Sequence, residues 1–542
     1  MLSVFNMARF SGYIFGRSWP LVRKIPVLRF LIFFAAGILF ADWLNRPPDK
    51  IICWTSLFLQ AGCWLLLYFN LKSSFRYRHH FGVLVSCLFF LQGIFLTSLK
   101  MEVFHPGHFS QWEKAELYQG IVDGTLRERT KSYRAPVLVK AVCVEGKWYS
   151  STGKMMCYFS KSNNRLPEYG HTVFFRATPQ RIREEESPAA ALYHRRQFFH
   201  RAFIRDFTIE PRSTDIALMG WAVACRVFIS ELVMRQMESS REAAIAVALL
   251  VGEEVSIDEE INAAYAATGT LHVLSVSGMH VGLIFFLLSF ILKPLLKWKH
   301  GVHLYYPVVM LLVWAYAFVA GAAPSITRAA LMCSFFLIAK WIDRKNQGFG
   351  ALGASLFLIL MMNPFSLFEP GLQLSFFAVL GIIWLQRPIL RWWIPKNVIV
   401  YKAWELTSVS LAAQITTLPV SLFYFGQFPN YFILANLVVV PLTTACIYTL
   451  LLQLCFTPLP VISGALSWLN TWLLKLSNGI VMEMKHWPFA VSQWIVDLPA
   501  AILLFVLVIE GEAWLRTRNF KIFLRMLVWL NLITLIRIIQ TV

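Results

Sequence analysis

His272 and His280 stand eight residues apart in the run LHVLSVSGMHVGLI, residues 271–284, beside Ser275, Ser277, Gly278 and Gly282. An imidazole inside an apolar segment can pass a proton, contact a substrate, ligate a metal or simply hydrogen-bond a neighbouring helix for ~0.6 to 2 kcal/mol. Metal ligation is disfavoured, because the spacing is not the i, i+4 of a zinc helix and neither HExxH nor HxHxDH occurs in the chain. No P-loop is present either. On one continuous helix, eight residues turn about 80°, so both rings would face one interior side. His272 would lie nearer the membrane interface. Ser275, Gly278 and Gly282, three and four apart, would share a face that lets another backbone approach.

A second group is GAAPSITRAALM, where Pro324 suits a first helical turn, Ser325 or Thr327 can serve the exposed amides, and Arg328 follows one turn in. At the outer end of a span, Arg328 could meet a phosphate or carboxylate, or snorkel to lipid headgroups. Gln373 and Ser375 in EPGLQLSFF, then Gln414 and Asn436 in the stretch broken by Pro419 and Pro441, add uncharged polar positions. Discontinuous helices expose backbone only toward protein or a cavity. Together these sets predict a polar interior path.

The elements that must position these residues are membrane helices. The chain has 542 residues, 57% hydrophobic and 15% charged. Apolar runs long enough to cross ~30 Å of hydrocarbon recur from residue 27 onward. About thirteen candidate spans are predicted, near 27–44, 51–69, 81–98, 270–292, 305–323, 326–342, 349–362, 371–386, 405–425, 431–456, 461–482, 497–514 and 522–540. The first reads as an anchor and not a removable signal. Lys and Arg concentrate in alternate loops, which places the N-terminus in the cytoplasm and the C-terminus outside; the net charge of +20 is largely that of basic cytoplasmic loops. The expected fold is a mostly α, polytopic helical membrane protein with one small β domain.

Four regions are expected: a three-helix anchor over 1–99, an extracytoplasmic OB-like β domain over 100–212, amphipathic interfacial helices over 213–268, and a helical channel domain over 269–542. Within 100–212, short alternating stretches bounded by Gly, Asn and Pro predict four or five strands in a small barrel or sandwich. Residues 101–213 hold 18 Lys or Arg against 12 Asp or Glu, with Tyr133, Trp148, Tyr149 and Tyr158 interleaved. That composition suits single strands through backbone electrostatics and base stacking, or an ordinary mildly basic surface. Cys143 and Cys157 flank EGKWYSSTGK on two expected neighbouring strands, so a disulfide is a candidate.

The run TGTLHVLSVSGMHVGLI, then PSITRAALM, then GLQLSFFAVLGI, then NLVVVPL, in this order and spacing, resembles the ComEC-type competence proteins, inner-membrane channels for DNA uptake in natural transformation. The resemblance covers about residues 215–515, and 30–210 through an N-terminal anchor and OB-like domain. It implies a single DNA strand crossing the cytoplasmic membrane from the outer face, a cytoplasmic DNA motor and an extracytoplasmic DNA receptor as partners, and no cofactor. His272, Ser277, Gly278 and His280 would line or shape the conduit, Ser325 and Arg328 would stand near its mouth, and Gln373, Ser375, Gln414 and Asn436 would line its length. Many family members add a C-terminal metallo-β-lactamase-like domain; with Val542 closing the chain and no HxHxDH run, the expectation is a channel without nuclease activity. The competing class is a secondary transporter for a small anionic solute.

Overall fold

The computed structural model describes residues 26–44, 58–62, 65, 78–101, 107–112, 115–123, 126–128, 132–161, 166–167, 170–183, 193–194, 196–210, 217–252, 258–274, 276–342, 347–494 and 496–541. The chain divides into two compact units, one holding residues 25–217 with 357–369 and the other the remainder.

In the first unit, α1 (Pro26–Leu44) and α2 (Arg78–Leu99) pack along each other. Their crossing is made by two glycines: a Cβ on Gly37 would lie 2.1 Å from the Phe90 carbonyl oxygen, and one on Gly93 would lie 2.3 Å from that of Phe34. Only hydrogen fits there, so the backbones approach as in small-xxx-small membrane pairs.

The nine strands of this unit are β1 (Leu117–Val122), β2 (Arg127–Glu128), β3 (Ser132–Val144), β4 (Lys147–Ser150), β5 (Lys154–Ser160), β6 (Thr172–Arg176), β7 (Gln180–Arg181), β8 (Phe198–Ile204) and β9 (Phe207–Glu210). The four or five expected strands are nine among the described residues, because four short strands of two to four residues, β2, β4, β7 and β9, add to the five longer ones. β1 pairs antiparallel with β3 and β6, β3 with β5, β5 runs parallel to β8, and β8 pairs antiparallel with β7. Period-2 alternation sends Val137, Val139, Met155, Cys157, Phe159, Val173 and Ala202 into one apolar core.

The same register rules out the Cys143–Cys157 bond. Cys157 pairs with Ala135 and Cys143 with Trp148, which separates the two positions by about 25 Å of strand at ~3.3 Å per residue. A disulfide needs Cα atoms within about 7 Å. Both thiols are free and buried, and burial pushes the Cys157 thiol far up.

The second unit contains α3 (Ala217–Gln236), α4 (Ser240–Val251), α5 (Glu259–Ala267), α6 (Leu271–Leu274), α7 (Gly278–Ile291), α8 (Gly301–Val319), α9 (Pro324–Trp341), the start of α10 (Gln347–Met362), α11 (Pro370–Leu390), α12 (Val398–Phe425), α13 (Phe432–Cys455), α14 (Pro460–Lys485), α15 (Leu498–Thr517) and α16 (Phe520–Thr541). A two-stranded ribbon, β10 (Gln427–Pro429) with β11 (Val491–Gln493), joins the ends of α12 and α14.

Six helices among the described residues are long and apolar enough to cross a membrane: residues 82–99, α8, α11, α12, α13 and α15. Helices α1, α9, α14 and α16, of 18 to 26 residues, occupy four more of the expected positions. The expected span 51–69 lies largely outside the described residues.

Three expectations need correction. Residues 240–251 are not an interfacial amphipathic helix: ten of the twelve residues of α4 are buried, and Ile245, Leu249 and Leu250 join the core formed with α5, α6, α13 and α14. The alanine content of SREAAIAVALLV lets neighbours close on every side. Pro419 and Pro441 do not break their helices, since α12 runs unbroken over 28 residues and α13 over 24. Each proline removes one i to i−4 hydrogen bond, and packing against neighbouring helices tolerates that loss without ending the helix. Conversely, the expected span 270–292 is interrupted between α6 and α7.

α11 and α12 form a tight antiparallel pair. A Cβ on Gly381 would fall 2.2 Å from Thr416 Oγ1 and 2.3 Å from the Ala412 carbonyl oxygen, and Thr416 Oγ1 donates to the Phe377 carbonyl at 2.6 Å.

Candidate functional site

The interruption is built by Ser277 and His280. Ser277 is the N-cap of α7, with its backbone extended; its Oγ accepts from Met279 N–H at 3.2 Å. His280 Nδ1 accepts the Ser277 N–H at 2.9 Å, completing a capping box with histidine where Glu or Gln usually stands. Because Nδ1 accepts from a backbone N–H, the neutral ring carries its proton on Nε2. His280 is 0% exposed, and Nε2 is buried with no hydrogen-bond partner among the described residues.

His272, on the single turn of α6, is exposed. The two rings therefore do not share a face of one helix: the 80° relation needed a continuous helix, and the chain leaves helical geometry between them. Ser275 lies outside the described residues.

Two further segments converge on the break. Ser325 Oγ, in the first turn of α9, donates to the Val276 carbonyl at 3.3 Å. One turn later Arg328 is 8% exposed, and its Nη2 donates to the Gly371 carbonyl at the start of α11, at 3.1 Å. Arg328 thus turns inward between α9 and α11 and does not snorkel outward. A Cβ on the exposed Gly278 would meet Ala329 Cβ at 3.5 Å, so α7 and α9 nearly touch there. Behind them, Arg226 on α3 donates from Nε to the Val319 carbonyl at 3.0 Å, fixing the turn that leads into α9.

Gln373 and Ser375 lie half-buried in the opening turns of α11, and Gln414 half-buried midway along α12. Asn436, near the start of α13, is buried with Oδ1 unpaired among the described residues. The structure therefore gathers Ser277, Gly278, His280, Ser325 and Arg328 into one cluster, while hydrogen bonds tie neither Gln414 nor Asn436 to it among the described residues.

A second polar set escaped the sequence reading. On α14 the buried positions Ser463, Ser467, Asn470, Leu474, Ser477, Val481 and Met484 recur every three or four residues, a spacing visible in the sequence as a small and polar stripe. Asn470 Nδ2 donates to Gln453 Oε1 at 2.8 Å, Gln453 Nε2 to Gln236 Oε1 at 2.8 Å, and Ser467 Oγ to the Gln236 carbonyl at 2.7 Å. Further along, Tyr265 donates to Asn478 Oδ1 at 3.0 Å and contacts Ser477 Oγ at 3.2 Å. These bonds, each worth ~0.6 to 2 kcal/mol, clamp α3, α5, α13 and α14 together. Among the described residues no group of three or more His, Cys, Asp or Glu could hold a metal ion.

The segments that build the cluster coincide with a known family. Residues 249–518 match the family described as competence protein. The chain belongs to the competence protein family. It is 33% identical over 200 residues to the ComE operon protein 3 of Bacillus subtilis, covering 37% of this chain and 24% of that one. It is 24% identical over 270 residues to the recombination protein 2 of Haemophilus influenzae, 46% of this chain and 32% of the relative. The uncharacterized protein YcaI of Escherichia coli is 24% identical over 278 residues, covering 50% and 34%. The chain thus spans about a quarter to a third of the length of these relatives. No solved structure gives a significant match. The apolar helices, together with membership of this family, make the protein a multi-pass membrane protein.

Proposed function

We propose that this competence-family protein is the channel through which a single DNA strand crosses the cytoplasmic membrane in natural transformation. The observation that carries this reading is the convergence of α7, α9 and α11 on a broken helix, where His280 presents a buried N–H donor and Arg328 a buried guanidinium. Broken helices in membranes occur where they face protein or a water-filled path. His272, Ser277 and Gly278 would border the strand directly, Ser325 and Arg328 would hold the mouth in shape, and Gln373, Ser375, Gln414 and Asn436 would offer neutral contacts. The proposal includes thirteen spans with the N-terminus inside, and no hydrolytic step by this chain. A cytoplasmic motor and an extracytoplasmic receptor would supply and draw the strand.

An OB-like barrel for the β domain is part of the same proposal. Supporting it, three residues separate β6 from β7, so one segment borders β1 at one end and β8 at the other. Together with the parallel β5–β8 pair, this gives a five-member cycle of Greek-key order.

The test is uptake of linear DNA by cells carrying Arg328→Ala or Gly278→Leu protein at wild-type membrane levels. Loss of uptake with intact DNA binding at the cell surface is expected; normal uptake in both contradicts the site. A small-anion transporter also accounts for the broken helix and the buried Arg328. Saturable uptake of a labelled inorganic anion, in cells with no defect in DNA entry, would favour it.

A further inference from the structure

The turn that joins α11 to α12 carries a surface that the broken-helix site does not use. Between Pro370 and Trp404 the chain has four cations, Arg387, Arg391, Lys396 and Lys402, and no carboxylate. Glu405, just beyond, is taken by Lys402 at 2.7 Å. On α15, whose Val508 borders the same core as Trp384 and Trp404, Glu512 pairs with Arg516 and Glu510 with Arg525 of α16. Arg387, Arg391 and Lys396 are exposed and make no ion pair or side-chain hydrogen bond among the described residues. Large apolar side chains stand among them. Trp392, Trp393, Ile394, Val398 and Ile399 are each more than half exposed, reaching 80% at Ile399. The turn is nonetheless held: Trp404 Nε1 donates to the Leu390 carbonyl at 3.1 Å, Trp393 meets the Trp404 ring at 6.0 Å, and Asn397 Oδ1 accepts the Ile399 N–H at 2.9 Å. Its level along α12 decides what surrounds it. The 28 residues of α12 span about 42 Å against ~30 Å of hydrocarbon, so the helix projects beyond it. Val398 stands ~6 Å further out than Lys402, on the far side of a charged pair that hydrocarbon would reject. Apolar side chains outside such a pair lie at headgroup depth, the layer that indole rings favour.

We propose that the α11–α12 turn lies in the headgroup layer and binds an anionic phospholipid, its phosphate at Arg387, Arg391 and Lys396 and its upper acyl chains against Trp392, Trp393 and Ile394. A free phosphate would meet the cations and leave the apolar side chains in water, whereas a lipid meets both. The turn directly continues two membrane-crossing helices, which brings it to lipid before any soluble partner. The site needs only the membrane location of α11 and α12, and it stands whether or not DNA passes through the protein.

The experiment is hydrogen–deuterium exchange of the turn, with the full chain in nanodiscs of phosphatidylcholine alone or mixed with phosphatidylglycerol. Native mass spectrometry of the detergent-solubilised chain, titrated with each lipid, gives the affinities. Phosphatidylglycerol should slow exchange across the turn and bind more tightly than phosphatidylcholine. Each cation is worth about five-fold near a charged surface, so Arg387→Gln with Arg391→Gln should weaken phosphatidylglycerol about thirty-fold, and the same two positions changed to Lys should keep most of the affinity. Lys396→Gln, in the loop and outside any helix, should cost about five-fold and tests the site if the double variant does not fold. Trp392→Ser should weaken both lipids. Inorganic phosphate at constant ionic strength should not displace the lipid; displacement would make this a phosphate site and overturn the lipid assignment. Equal affinity for the two lipids, or binding unchanged in both the arginine and the Lys396 variants, overturns the proposal. So does exchange that stays fast in both nanodiscs, which would leave the face to a soluble protein.

Discussion

Replacing His280 by Ala removes the acceptor for the Ser277 N–H and empties a site that is 0% exposed. Losing half of the capping box costs ~1 kcal/mol, and truncating a buried ring of this size adds ~2 kcal/mol or more. Together they predict a loss of about 3 kcal/mol, concentrated where α7 meets α9. His280→Gln is the informative partner variant, because its side-chain oxygen can accept from the Ser277 N–H as Nδ1 does and Gln is a usual residue at this capping-box position. Thermal unfolding of the detergent-solubilised protein should show a drop of several degrees for Ala and recovery of most of it for Gln. DNA uptake should follow the same order. An Ala variant as stable as wild type, or a Gln variant no better than Ala, would refute the cap as the reason histidine stands there.

Gly381→Val would drive a branched side chain into Thr416 Oγ1 and the Ala412 carbonyl, and it should split the α11–α12 pair, seen as new protease cleavage at the α11–α12 turn. Mass spectrometry of protein unfolded and alkylated without reductant should find Cys143 and Cys157 both labelled; an unlabelled pair would overturn the strand register. His200 is held down at about 4, chiefly by burial and then by Arg181 and His194. Since its folded value lies below the usual 6.5, the neutral ring stabilises the β domain fully above pH 6.5, and that contribution fades as pH falls toward 4. Tryptophan fluorescence should show the domain loosening across this window, with the pH dependence reduced in His200→Gln. Asn470→Leu should lower thermal stability measurably by taking away the donor to the Oε1 of buried Gln453, and wild-type stability would show that the α14 stripe merely packs.

The polytopic helical class was legible in the apolar runs, and SGMH, PSITR and EPGLQL were legible as chemistry-bearing segments. What joined them was not. Ser325 reaches Val276 and Arg328 reaches Gly371 across helices far apart in sequence, and no spacing rule reports such contacts. The capping role of His280 went unread because a polar residue in an apolar run has several uses, and Ser277 three residues back was the sign of a cap. Prolines misled: local chemistry predicts breaks at Pro419 and Pro441, yet both helices continue through them. Alanine-rich α4 carries so few large side chains that its period cannot distinguish a membrane surface from a crowded interior. The α14 stripe was present in the sequence but dispersed among tryptophans and leucines on the other faces.

The account turns on whether this chain carries DNA across the membrane. The direct measurement is internalised labelled DNA in a transformation-competent cell that lacks its own channel and expresses this chain alone. Wild-type protein is predicted to restore entry into the cytoplasm, while Arg328→Ala protein, present in the membrane at the same level, leaves the DNA outside. No restoration by the wild-type chain, or equal entry with Arg328→Ala, would contradict it.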